Sequence, residues 1–289
     1  MLQPSDVDDE VARLLALLRN EIAGDPAFLL VSGGLDSDVA ARLTVRAVGA
    51  ERVKLATVLQ DDMNCAHLEQ ARALGRELGT GLIELDLRGV NLAVLYRLAL
   101  ADPAESYNPL GLLDPARMKC SLRTVVMSSY QDRGYVVVGT SNLTEAQLGF
   151  FLPFGDGIWH VGPLAHLYKT EVRLIAAAMG TTDAVQLQPP SAGFWSDQTD
   201  REDMGFWLVN EGPIQRERDF DAEEVAQAAE YSSRLNETDL DALLLTIRED
   251  RDAADSAVPG DIAAAIAKIV EHSSRLKTRP TGVRLTRRK

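Results

Sequence analysis

Ser32-Gly33-Gly34-Leu35-Asp36-Ser37 places two hydroxyls, two glycines and a carboxylate within six residues. The stretch follows the apolar run 27–31 and precedes residues of helical character at 36–48. In a strand-to-helix turn of this composition the backbone N–H groups face the positive end of the helix, where phosphate oxygens bind. The glycines allow close approach of the main chain, and the hydroxyls of Ser32 and Ser37 can donate to the same anion. A bare phosphate would repel Asp36. The carboxylate fits if a divalent cation bridges it to the phosphates. The lysine of the common phosphate loop is absent, so the expected chemistry is metal-assisted use of a nucleotide by some other arrangement of charges.

The elements that must hold this turn are legible from periodicity. From Asp6 to Ala23, Val7, Val11, Leu14, Leu15, Leu18 and Ile22 recur at helical spacing. The runs 27–31, 53–58, 82–87 and 135–138 read as short strands, with helices expected at 36–48, 64–79, 89–101 and 113–133. This alternation predicts an α/β class: a doubly wound, mainly parallel sheet with helices on both faces, right-handed crossovers and a ligand at the carboxyl ends of the strands. Residues 140–167 are loop-rich, 168–180 read as a helix stopped by Gly180, and helical pattern resumes at Asp221. The expected organisation is a nucleotide-using domain at 1–213, a helical extension packing on it at 214–275, and a basic tail at 276–289 containing Arg284, Arg287, Arg288 and Lys289.

The 289-residue chain has a formal net charge of -13 and 46% hydrophobic residues. That balance disfavours nucleic acid and anionic membranes as partners and leaves small molecules. No apolar run is long enough to span a bilayer, and the acidic start "MLQPSDVDDEVARLL" is unlike a secretion signal, so a cytoplasmic location is expected. Cys65 and Cys120 are too few for a disulfide framework or a zinc knuckle and read as reduced thiols.

"SGGLDS" resembles the signature of the N-type ATP pyrophosphatases, which cleave ATP between its α- and β-phosphates. Within that group, "PARMKCSLRTVV", "VVVGTSNLTEAQLGFF", "FGDG", "GPLAHLYKTEVRLIAAAMG" and "QPPSAGFWSDQTDREDMG" resemble ammonia-dependent NAD synthetases in order and spacing. The resemblance implies an adenine nucleotide α-hydrolase-like fold and an ATP-dependent ligase: a carboxylate is adenylated with loss of pyrophosphate, and ammonia or an amine then forms the amide. It implies that Ser32, Gly33, Gly34, Asp36 and Ser37 hold pyrophosphate and that Thr140, Lys169 and Ser191 contact ATP. Asp36 and Glu145 would bind Mg²⁺, and Asp36, Thr140 and Lys169 would be the catalytic set. Residues 186–205 resemble the family's mobile flap. A homodimer is implied, with ammonia free or supplied by a separate amidase.

On the acid side, the resemblance implies substrate contacts at Arg117, at Asp156 of "FGDG" and at His160. Three positions depart from the family: Pro153 stands where a lysine is usual, His160 where an aspartate is, and Ser273 where the lysine of a C-terminal "HKR" is. Proline lacks donor and charge, and histidine turns an obligate acceptor into a group that can donate. Deamido-NAD is one candidate acid, and these changes favour a diverged one. An alternative is sulfur transfer from Cys120, three residues after Arg117, if Arg117, Lys119 and Arg123 lower its pKa.

Overall fold

The computed structural model describes residues 1–61, 63–106, 115–152, 154–191, 198–212, 214, 219–252, 256–274 and 281–283. In chain order the elements are α1 (Val7–Ile22), β1 (Ala27–Leu30), α2 (Leu35–Val48), β2 (Val53–Leu59), α3 (Cys65–Glu77), β3 (Ile83–Asp86), α4 (Val90–Ala101), α5 (Pro103–Ser106), α6 (Pro115–Gln131), β4 (Val136–Val137) and α7 (Leu143–Leu148). They continue as β5 (Ile158–Val161), α8 (Lys169–Met179), α9 (Asp183–Gln186), α10 (Asp200–Val209), α11 (Ala222–Arg234), α12 (Glu237–Arg248), α13 (Gly260–Ser274) and β6 (Thr281–Val283).

β1 to β4 form one parallel sheet in the order β3-β2-β1-β4. The side chains of β1 show why it is central. Ala27, Leu29 and Val31 enter a core with α1, α2 and α8, while Phe28 enters a second core with Met127 and Tyr130 of α6. Phe28 stacks on Tyr130 with ring centroids 3.7 Å apart. A strand apolar on both faces is buried on both faces, as the continuous run 27–31 required. The chain builds outward from β1 through β2 to β3, then returns to β1's other side with β4. That reversal makes a crevice at the carboxyl ends of β1 and β4.

β5 lies beyond β4, joined to it by a parallel bridge between Val138 and Val161, and pairs with β6. A third core is helical: Leu143 and Leu148 of α7, Met204 and Leu208 of α10, Leu243 and Leu244 of α12, and Ile262, Ile266 and Ile269 of α13. Helices beyond residue 214 therefore share their apolar faces with α7 and α10. The expected boundary at 213 falls at Pro213, outside the described residues, as does most of the basic tail expected at 276–289, of which only 281–283 are described. No helix among the described residues is long and apolar enough to cross a membrane.

Candidate active site

The turn after β1 is held by its own polar atoms. Ser37 Oγ donates to the Gly34 carbonyl at 2.9 Å and accepts the Ser32 N–H at 3.2 Å, and the Gly34 N–H donates to Ser32 Oγ at 3.2 Å. Gly33 has φ +85°, and a Cβ there would lie 1.9 Å from the main-chain oxygen of His67. Only glycine fits, because both the dihedral and the space exclude a side chain.

Asp36 sits in the first turn of α2. Lys169 Nζ donates to its Oδ2, and Asn142 Nδ2 donates to its Oδ1 at 3.1 Å. The same Asn142 nitrogen donates to Glu145 Oε1 at 2.8 Å. Asn142 and Glu145 also form a capping box on α7: the Glu145 N–H donates to Asn142 Oδ1 at 3.0 Å and the Asn142 N–H to Glu145 Oε2 at 3.2 Å. One asparagine thus holds two carboxylates side by side. Burial, reinforced by the charge of Asp36 and opposed by Lys169, pushes the Glu145 carboxyl well above the usual range. Burial works against the Lys169 ammonium, but Asp36, Glu145 and Asp200 more than offset it and hold its pKa above the ordinary lysine value.

These groups open onto a cavity of about 750 Å³ lined by Ser32, Gly34, Asp36, Ser37, Arg117, Thr140, Glu145, Asp156, Lys169 and Ser191, a size suited to a nucleotide-scale ligand. The turn after β1 and residues 138–145 after β4 meet there. Gly33 supports the cavity from behind, against His67. Of the flap residues, 192–197 lie outside the described set.

Around Asp156 and Cys120 the cavity wall is arranged differently. Asp156 Oδ1 accepts the Leu152 N–H at 2.8 Å, and its main-chain oxygen accepts from Ser141 Oγ at 3.1 Å. Cys120 Sγ lies 3.9 Å from Asp156 Oδ1 and 3.8 Å from Arg123 Nη1. Burial, with Asp156 adding to it, pushes the Cys120 thiol up to about 12. This corrects the expectation of a lowered pKa: Arg123 and Arg117 act in that sense but are outweighed, and Lys119 Nζ donates to the Asp61 carbonyl at 3.0 Å. Cys120 is held as a thiol, so its nucleophilic form is suppressed.

His160 is not among the cavity's lining residues. It is exposed on β5, and its Nδ1 accepts the Val137 N–H of β4 at 2.8 Å, supplying an acceptor beside the shifted pairing of β5. Ser273 is buried at the end of α13, its Oγ donating to the Ala146 carbonyl at 3.5 Å. Pro153 lies outside the described residues.

Some residues of the site were not singled out from the sequence. Asn142 was legible, because Asn followed by Glu at the third helical position is a capping signal. The acidic first turn of α10 also faces the cavity, with Asp200, Glu202 and Asp203. Asp203 Oδ2 accepts from Gln198 Nε2 at 2.8 Å, and burial, with Asp200 and Glu202 adding, pushes its carboxyl up to about 7.

A family model described as NAD synthase matches residues 10–242. The NH(3)-dependent NAD(+) synthetase of Thermoplasma acidophilum is 30% identical over 203 residues, covering 69% of this chain and 80% of that protein. That of Methanosarcina acetivorans is 32% identical over 205 residues, covering 69% and 78%. Among solved structures, the NMN synthetase from Francisella tularensis aligns with a TM-score of 0.70 at 20% identity, covering 97% of this chain and 100% of that one. NAD+ synthetase from Burkholderia pseudomallei aligns with a TM-score of 0.62 at 22% identity, covering 94% and 91%. These structures share the fold, a mainly parallel sheet between helices. The family match spans the turn at 32–37, Asn142, Glu145 and Lys169 alike, and the chain belongs to the NAD synthase family of ATP-dependent carbon–nitrogen ligases that release AMP and pyrophosphate.

Proposed function

We propose that this ligase adenylates the carboxylate of a pyridine nucleotide and amidates it with ammonia or an amine, and that its preferred acid is smaller than deamido-NAD. The observation that carries the ATP half is the convergence of Lys169, Asp36, Asn142 and Glu145 on the turn after β1. In this reading the acid's carboxylate attacks the α-phosphorus, pyrophosphate departs into the turn at 32–37, and the Lys169 ammonium stabilises the charge that develops on it. Thr140, Ser191, Arg117 and Asp156 line the same cavity, and we assign the first two to ATP and the other two to the acid. Ammonia then attacks the adenylate carbonyl and AMP leaves, with no covalent enzyme intermediate.

Mg²⁺ suits the donor set. Asp36 Oδ1 and Glu145 Oε1 lie within hydrogen-bond reach of one nitrogen, and two hard carboxylates completed by phosphate oxygens and water match the way this ion is bound. When bound, it would neutralise charge on the leaving pyrophosphate.

The acid half rests on what two departing positions offer. The His160 ring nitrogen is engaged by Val137, and Ser273 is buried between α13 and α7, so neither side chain lines the cavity where the resemblance implied contacts to a dinucleotide acid. Of two structural neighbours that cover nearly the whole chain, one is called an NMN synthetase and the other an NAD+ synthetase. For an amidating ligase the first of these products requires nicotinate mononucleotide, the acid that the changes at His160 and Ser273 favour here. We place the enzyme in the cytoplasm with its ATP, fed by free ammonia or a separate amidase. A second copy of the chain would cover the exposed apolar stripe Leu92, Tyr96 and Leu100 of α4 beside Val125 of α6.

The test is pyrophosphate release with ATP, Mg²⁺ and ammonia, offering nicotinate mononucleotide, deamido-NAD and unrelated carboxylic acids in parallel. Turnover on the mononucleotide well above that on deamido-NAD is expected. Robust NAD formation would sink the smaller-acid reading, and turnover on neither nucleotide would sink the pyridine nucleotide reading.

A further inference from the structure

Lys169 is the first residue of α8, a position where backbone N–H groups have no partner inside the helix. The preceding residue, Tyr168, is not of a type that caps a helix through its side chain. The caps come from elsewhere. The Lys169 N–H donates to Thr144 Oγ1 at 2.9 Å, and the Thr170 N–H donates to Asp241 Oδ2 at 2.8 Å. Thr144 Oγ1 gives its single proton to Asp241 Oδ1 at 2.6 Å. Both bonds therefore end on one carboxylate, which is wholly buried and comes from α12.

We propose that Asp241 is a positioning residue for the ligase reaction: it fixes the start of α8, and with it Lys169, against α7, which carries Glu145. The proposal rests on the assignment of Lys169 to the ATP chemistry. Its physical basis is the direction of the relay. A hydroxyl has one proton, and because Asp241 takes that of Thr144, the Thr144 oxygen is left as the acceptor that Lys169 N–H needs. A buried carboxylate is costly unless its oxygens are bonded, and here they receive a hydroxyl and a backbone N–H at the positive end of a helix, where negative charge is favoured. Thr144 precedes Glu145, so the same relay ties the lysine's backbone to the carboxylate that Asn142 holds beside Asp36. Arg173 of α8 adds a second tie, donating to both oxygens of Glu237 on α12 at 2.5 and 3.0 Å. A segment expected from the sequence as an appended extension thus reaches the centre of the site.

The experiment compares Asp241→Asn, Thr144→Val, Thr144→Ser and the Asp241→Asn/Thr144→Val double variant. The readouts are kcat and KM for ATP in pyrophosphate release, taken below each protein's thermal midpoint. Small displacements of a catalytic group cost up to about a hundredfold in rate, so Asp241→Asn and Thr144→Val are each expected to lower kcat by about ten- to a hundredfold with little change in KM. Thr144→Ser, which keeps the hydroxyl, should restore the rate, and the double variant should be no slower than the slower single one, as members of one relay behave. Folded single variants with wild-type kcat, or losses confined to the melting temperature, would overturn the proposal. If Asp241→Asn does not fold, Thr144→Val against Thr144→Ser decides, because the carboxylate then keeps its Thr170 bond. A crystal structure of Thr144→Val separates this proposal from the choice of acid: Lys169 Nζ displaced from Asp36 supports it, and an unmoved ion pair overturns it even if no acid yet tried is turned over.

Discussion

Lys169 donates its ammonium proton to Asp36, so two residues 133 positions apart form one ion pair at the base of the cavity. The pair is not symmetric. Lys169 also balances Glu145 and Asp200, whereas Asp36 is one of three carboxylates around it. Removing one partner of a buried pair costs about 3–5 kcal/mol when the other charge is left uncompensated. Lys169→Met leaves several carboxylates in that state, and Asp36→Asn leaves a lysine that still has two. Both variants should abolish pyrophosphate release, but denaturant unfolding should show the larger loss of stability in Lys169→Met. Equal losses would mean that Glu145 and Asp200 do not share the lysine's charge.

Gly33→Ala tests the turn without touching a polar group. The added Cβ meets the main-chain oxygen of His67 at 1.9 Å, and the φ of +85° is strained for alanine, which costs about 1–3 kcal/mol before any clash. The turn must move, and the N–H groups expected to hold pyrophosphate move with it. Calorimetric titration with ATP and Mg²⁺ should show at least about a tenfold loss of affinity, since roughly 1.4 kcal/mol is tenfold in binding. Unchanged affinity would remove the turn from the ATP site.

What could be read in advance follows the range of the interactions. The sheet was legible because its strands are short runs set between helical segments, apolar on both faces in β1 and alternating Ile83 and Leu85 with exposed Glu84 and Asp86 in β3, and β1 to β4 appear within about two residues of the runs expected. The turn at 32–37 was legible because its constraints are local. Asn142 carried a capping signal within three residues of Glu145 and could have been read. Asp241 could not: it meets Thr144 across 97 residues, and nothing local distinguishes it from the exposed acids of a surface helix. His160 shows the converse. Its place in the family's pattern suggested a substrate contact, while its ring accepts the N–H of Val137 on β4, a strand 23 residues earlier that nothing local to His160 points to.

Cys120 gives a prediction about chemistry that the fold suppresses. Its thiol is buried and pushed up to about 12, whereas Cys65 is exposed. Since the thiolate is the reactive form, iodoacetamide at pH 8 should modify Cys65 first and leave Cys120 unmodified in the folded protein, as peptide mass mapping can establish. Cys120→Ala should retain most pyrophosphate release. Rapid labelling of Cys120, together with loss of turnover in Cys120→Ala, would revive sulfur transfer.

Asp203 supplies a dependence of stability on pH. Burial, then the charges of Asp200 and Glu202, lift its carboxyl from 3.8 to about 7, against a lowering hydrogen bond from Gln198. Between those two values the folded protein keeps a proton that the unfolded chain has released. Stability rises with pH only where the unfolded state binds more protons, so here it falls: the contribution of Asp203 is complete below the unfolded value, declines as pH rises, and is gone once pH passes about 7. Other carboxyls titrate in the same range, which makes the difference between two proteins the proper measurement. Asp203→Asn keeps the shape and an acceptor for Gln198 but cannot ionise. Its melting temperature should fall less than that of the wild type between pH 4 and pH 7, and above pH 7 it should be the more stable protein. Parallel curves for the two would show that Asp203 ionises in the folded state no less readily than in the unfolded chain.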